Sequence, residues 1–184
     1  GEAFLRSQGL TYSEYARSGF FELVAVAVIV LTLILALDFF TNRSTGRAKA
    51  IFTVGTGLMI SLTIEMLASA FYRMNLYDLA YGFTRLRLHT HVFMVWMGLL
   101  LSTVLVMIIS GQTRRFALAA IVFCIGFTLV LNAINPDAFI ARQNVARAAA
   151  GLGELDTDYL GNLSADALPL TIPLLDHPDE AVRE

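Results

Sequence analysis

Along the chain, apolar residues gather in four long runs, Phe20 to Phe40, Ala50 to Phe71, Leu88 to Ser110 and Phe116 to Ile134, separated by short polar connections. Each run is close to the roughly 20 residues that a helix needs to cross a hydrocarbon core about 30 Å thick. A backbone in lipid must satisfy its own hydrogen bonds, and none of the runs alternates as a barrel strand would, so all four are predicted to be transmembrane helices. The first is not a signal peptide. It carries Glu22 where a basic segment is required, exceeds a signal's apolar length and precedes three more spans. Ahead of it, Thr11-Tyr-Ser-Glu14 has the spacing of a capping box, which starts the first helix near Tyr12.

Two further helical patterns lie outside these runs. Between the second and third spans, Asn75 to Arg87 puts Leu76, Leu79, Ala80 and Phe83 on one face and Asn75, Asp78 and Arg85 on another, with Tyr77 and Tyr81 at the borders. This predicts an interfacial helix with its tyrosines at headgroup level. After the fourth span, Asn135-Pro136-Asp137 combines an N-cap residue, a proline at the first helical position and an acid in the first turn. A helix follows to about Ala150, stopped by Gly151 and Gly153, and the rest reads as one or two short helices punctuated by Pro169, Pro173 and Pro178. The expected fold is an all-α integral membrane helical bundle with four transmembrane helices, an interfacial helix and a short helical C-terminal tail. Residues 1–135 form the membrane domain and 136–184 the tail. The tail is too short to bury a core of its own, so it should dock on the membrane part or on a partner.

Composition supports this class. The 184 residues are 57% hydrophobic and 15% charged, with a mean hydropathy of +0.66, too little polar surface for a soluble domain of this size. The net charge of −2 conceals a division: residues 1–135 carry ten Lys and Arg against six Asp and Glu, whereas 136–184 carry three against nine. A basic apolar body is therefore joined to an acidic tail. The scattered arginines form no stripe that would suit a nucleic acid, and Cys124 has no partner for a disulfide. Arg43, Arg47, Lys49, Arg114 and Arg115 on one membrane side are balanced by Arg6, Arg17, Arg73, Arg85, Arg87, Arg142 and Arg147 on the other, which leaves orientation open.

The chemistry of such a chain resides in its intramembrane polar residues. In the second span Thr53, Gly57, Ser61, Glu65 and Ser69 recur at four-residue steps and lead to Arg73. Small residues at this spacing admit another helix, and an ionised Glu65 facing lipid would cost several kcal/mol, so it should face protein or a wet cavity. The third span offers His91, Val95, Gly98 and Ser102 on one face, and the fourth offers Ala120, Cys124, Thr128 and Asn132. Because span direction alternates, Arg17, Glu22, Glu65, Arg73, Arg85, Arg87, His89, His91, Asn132 and Asn135 gather towards one membrane surface. The candidate cluster is Glu65, Arg73, Arg85, Arg87, His91 and Asn132. Its plain reading is structural, with Glu65 paired or protonated and the cations anchoring helix ends to phosphate. Its functional reading is a proton or substrate site in which Glu65 exchanges a proton and His91 or an arginine is its partner. No cofactor or metal is predicted. His89 and His91 diverge by about 200° around one helix and His177 is in the tail, so two histidines do not converge on a haem. No Gly-x-Ser-x-Gly, His-Glu-x-x-His or phosphate-cradling glycine loop indicates catalysis.

Three segments carry a resemblance: Tyr81-Gly-Phe-Thr-Arg-Leu-Arg87-Leu-His leading into the span with Trp96, then Asn135-Pro-Asp-Ala-Phe-Ile-Ala-Arg-Gln-Asn144, then Leu155-Asp-Thr-Asp-Tyr-Leu160. From about Leu10 to Leu168 the chain resembles the C-terminal part of a family of bacterial polytopic membrane proteins catalogued as a domain of unknown function, the one numbered four-one-seven-three. The resemblance implies the bacterial cytoplasmic membrane and a longer protein with further spans upstream, in keeping with a sequence that opens on Gly1. It supplies no reaction, and His89 stands where relatives would have an aromatic. The function expected is a non-catalytic structural or accessory part of a larger membrane protein or complex, surrounded by lipid and other transmembrane helices. The alternative is transport or proton handling centred on Glu65.

Overall fold

The computed structural model describes residues 12–41 and 45–176, with side chains over 22–41 and 45–174. The capping box at Thr11 and Glu14 and the side chains of Arg6, Arg17, Arg43 and His177 lie outside these residues. Four long helices dominate: α1 Tyr12–Phe40, α2 Gly46–Tyr81, α3 Arg85–Ser110 and α4 Phe116–Ile134, the last entered through a 3-10 turn at Thr113–Arg115. All four are long and apolar enough to cross a membrane. Then come α5 Pro136–Ala149, α6 Thr157–Gly161, a 3-10 turn at Ala165–Ala167, α7 Leu168–Thr171 and a final 3-10 turn at Ile172–Asp176. No strand occurs among the described residues.

The expected interfacial helix does not stand apart. Helix α2 runs without interruption for 36 residues, about 54 Å at 1.5 Å per residue, well beyond a 30 Å core. Residues 75–81 are its last two turns, Gly82 to Thr84 are a break, and Arg85 to Arg87 already belong to α3. Amphipathic spacing was real in this segment, but no helix breaker occurs before Gly82. The apolar run ends at Phe71; the helix does not.

Contacts divide the chain into two compact units, Gly1–Ala70 with Met97–Ala120 and Phe71–Trp96 with Ile121–Glu184. In the first unit α2 buries Phe52, Thr56, Ile60, Thr63 and Leu67, at steps of four or three residues. Both threonine hydroxyls donate to carbonyls of their own helix, Thr56 to Phe52 and Thr63 to Met59 at 2.8 Å, so the row stays internally satisfied. Ala27 and Ile34 of α1 and Leu101, Val104 and Ile108 of α3 are buried too.

The small-residue rows read from sequence are out of phase with these buried faces. Thr53 and Gly57 are half-buried, while Ser61, Glu65, Ser69 and Arg73 are exposed on the chain. Uninterrupted steps of four advance by about 400° and drift about 40° per step, so the row slides off the packed face. Gly57 is the member that packs within the chain: a Cβ there would sit 3.7 Å from Leu105. On α3, His91 is buried and Gly98 half-buried, but Val95 and Ser102 are exposed. On α4, Cys124, Thr128 and Asn132 are exposed and no residue at all is buried. The Ser102 and Thr128 hydroxyls donate to Gly98 and Cys124 of their own helices, which lets them face an apolar medium.

In the second unit, α3 meets α4 through aromatic side chains. The Trp96 indole N–H donates to the Phe123 carbonyl at 2.6 Å, and its ring covers Gly126, where a Cβ would come within 2.7 Å of Cζ2. Phe93 and Phe127 stand edge to face at 6.3 Å. The tail forms an apolar cluster of Ala141, Leu160 and Ala167, flanked by Val145, Leu155, Leu163, Leu170 and Leu174. By contacts it groups with residues 71–96 and 121–135.

Candidate functional site

The α2–α3 junction is a three-residue break whose every end is held by the tail or by an arginine. Gly82 closes α2 with φ +79°, the left-handed conformation common after a helix, and its N–H reaches the Asp78 carbonyl at 2.8 Å. A Cβ at Gly82 would lie 2.9 Å from the Asn144 side-chain oxygen. That closeness serves a two-way bond: the Phe83 N–H donates to Asn144 Oδ1 at 2.7 Å, and Asn144 Nδ2 donates back to the Phe83 carbonyl at 2.9 Å. One side chain of α5 thus satisfies both backbone groups of a residue that belongs to no helix. Carbonyls at the end of α2 and just past it are met by cations, Ala80 by Arg147 at 3.3 Å and Gly82 by the Arg87 guanidinium. The first N–H of α3, on Arg85, donates to the Tyr159 hydroxyl at 2.8 Å.

Beside this break, Arg85 and Asp137 make a two-pronged ion pair, with Nε and Nη2 each 2.6 Å from a carboxylate oxygen. The Ser164 N–H adds a third bond to Asp137 at 2.8 Å. These donors, Arg85 first, hold the Asp137 carboxyl well below the usual carboxylate range against the opposing effect of its burial. The N-cap expected of Asn135 takes another form. Asn135 adopts a left-handed turn with φ 49° and its side chain makes no cap, so the first-turn acid Asp137 is turned to Arg85 and the tail instead.

The third element of the junction is a buried polar cluster. Continued past Leu67 at the same steps, the inward row of α2 reaches Phe71, Met74 and Asp78, and the Asp78 carboxylate is wholly buried. On α3 the inward row runs Leu88, His91, Met94 and Met97. His91 Nδ1 lies 3.0 Å from the Arg87 carbonyl and 3.4 Å from Asp78 Oδ2. The carbonyl can only accept, so the hydrogen sits on Nδ1 and Nε2 carries the lone pair in the neutral ring. Phe71 packs edge to face on this imidazole at 4.8 Å, with Phe83 at 6.5 Å. Arg87 Nη1 stands 3.9 Å from Asp78 Oδ1, and its guanidinium lies over the Tyr77 ring at 4.4 Å. Neither Asp78 oxygen nor His91 Nε2 has a hydrogen-bond partner.

Of the six candidate residues, the structure brings together Arg85, Arg87 and His91. Glu65, Arg73 and Asn132 are exposed elsewhere on the helices. Glu65 has no hydrogen bond or ion pair to another described residue, and it faces outward from the chain rather than into its packed interior. His89 is half-buried with Nδ1 on the Arg85 carbonyl, the same local bond that His91 makes to Arg87. Sequence reasoning missed Asp78, Asp137, Asn144 and Tyr159 as site members. Asp78 had been set on the polar face of an interfacial helix, and the row from Phe52 was the signal that places it inside. Among the described residues no group of three or more His, Cys, Asp or Glu is arranged to hold a metal ion.

The segments that dock on one another here, 81–87, 135–144 and 155–160, are those that carried the family resemblance. No curated protein and no solved structure matches the chain. A family model does match, over residues 1–174, and its number differs from the one that the resemblance suggested. With four membrane-capable helices and this match, the chain is an integral membrane protein that belongs to the family described as Domain of unknown function (DUF4153).

Proposed function

We propose that this chain is a structural or accessory module of a larger assembly in a bacterial cytoplasmic membrane, without catalysis of its own. Glu65 carries the reading. It stands near the middle of α2 on an exposed face shared with Leu58, Leu62 and Met66, and with the small residues Ser61 and Ser69 one turn to either side. An ionised side chain facing lipid within a span costs up to about 3 kcal/mol on insertion scales, the full value applying at the bilayer centre. A helix from outside this chain, laid over Ser61, Glu65 and Ser69, removes that cost and uses the close approach that the serines allow. The test is a photoreactive side chain at position 61 or 69, with position 125 on the lipid-exposed face of α4 as control, irradiated in native membranes. Protein adducts from 61 and 69 but not from 125 are expected. Lipid adducts alone from all three positions would refute the module.

Transport or proton handling is the second reading. On Glu65 it predicts that Glu65→Gln abolishes a pH-dependent activity and leaves assembly intact. The observation that favours proton chemistry, however, lies at Asp78.

A further inference from the structure

Two carboxylates flank the same junction in opposite circumstances. Asp137 receives both prongs of Arg85 at 2.6 Å and a backbone N–H at 2.8 Å. Asp78 is more deeply buried, yet neither of its oxygens accepts a hydrogen bond. A carboxylate buried for structure alone is matched by donors, because an uncompensated buried charge is strongly destabilising. The cation that could do this, Arg87, is held off at 3.9 Å by its bond to the Gly82 carbonyl and its seat on the Tyr77 ring. Beside Asp78 is a second buried group, His91, whose Nδ1 lies 3.4 Å from Asp78 Oδ2 and whose Nε2 is unpartnered.

We propose that Asp78 and His91 together form a proton-binding site at the α2–α3 junction, the pair taking up and releasing one proton with Arg87 as its fixed countercharge. In the loaded state the proton is held on an Asp78 oxygen or on His91 Nε2, and the pair is neutral as a whole. On release the carboxylate and a neutral imidazole remain, and Arg87 balances the carboxylate. Only an O–H or N–H bond forms or breaks, and the proton passes to water. The other charged or titratable groups around the junction are already engaged. Arg85 is neutralised by Asp137, and Arg147 is bound through Nη1 and Nη2 to the carbonyls of Ala80, Leu152 and Glu154, its buried Nε making no bond. Tyr77 lies under Arg87, and Asn144 is neutral and committed to Phe83. The Arg87 side chain is 18% exposed against 0% for Asp78, so the site lies one side chain beneath the surface. The proposal concerns this chain by itself and does not rest on Glu65 or on a larger assembly.

The test uses the full chain in lipid bilayers, with carbon-13-labelled aspartate and nitrogen-15-labelled histidine. Between acidic and neutral pH, the infrared difference spectrum should contain a protonated-carboxyl band that shifts in heavy water and is absent from Asp78→Asn. In His91→Gln that band should titrate with a midpoint displaced by about one pH unit or more, as coupled groups do. Should either variant fail to fold, the unsubstituted protein still decides. One buried imidazole and one aspartate should titrate there with a common midpoint. A buried imidazole and carboxyl that keep one protonation state throughout the pH range of the folded protein, or that titrate independently, would overturn the site.

Discussion

Asp137 concentrates three hydrogen bonds on one carboxylate, and all three donors lie outside its own helix. Folding lowers its proton affinity, so the stabilisation it brings is complete above the ordinary aspartate value near pH 4 and is lost as pH falls through the lowered folded value. Thermal unfolding in detergent should therefore show a midpoint that drops below about pH 4, and Asp137→Asn should flatten that limb. A variant whose acid limb overlays the unsubstituted protein would show that the ion pair adds nothing. Arg85→Lys should also destabilise, since an ammonium keeps the charge but cannot offer two parallel N–H bonds. Little of this was legible in sequence. Arg85 drew attention as a cation near a membrane surface, but the residue that answers it, 52 positions later, looked like a routine first-turn acid.

The helices themselves were legible, because length and unbroken hydrophobicity leave a chain in lipid few alternatives to a helix. Their facing was not. A residue one position away on a helix points about 100° elsewhere, and on α2 the row chosen for its small residues, Thr53 and Gly57, starts one position off the row that packs, Phe52 and Thr56. One contact that joins α3 to α4 depends on Gly126, absent from every such row, beneath the single tryptophan. Gly126→Ala should cost about 1–3 kcal/mol, the range for overfilling a tight contact. The cost should shrink when Trp96→Phe is added, because the atom that the new Cβ meets is then gone. Unfolding followed by circular dichroism across the four-member cycle measures this coupling, and equal costs in both backgrounds would mean that the two residues do not touch.

Over the molecule as a whole, the acidic tail folds back on its own chain. Tyr159 satisfies the first N–H of α3, Ser164 binds Asp137, and Leu160 and Ala167 complete the apolar cluster on α5. Deleting residues 151–184 should lower the unfolding temperature of the purified chain and expose the junction to a protease cutting at Arg85 or Arg87. If instead stability is unchanged and a soluble protein disappears from the purified membrane fraction, the tail is an adaptor for that protein. Sequence separated this tail by charge and proline, but the bonds that tie it down join residues from 52 to 77 positions apart, which no local pattern reports. An all-helical membrane protein with a breaker-rich, acidic end follows from composition and periodicity, since both act locally. Which of its ionisable groups is buried, which is paired and which faces outward depends on the phase of each helix against its neighbours. That phase buries Asp78 and His91 and leaves Glu65 on an outward face.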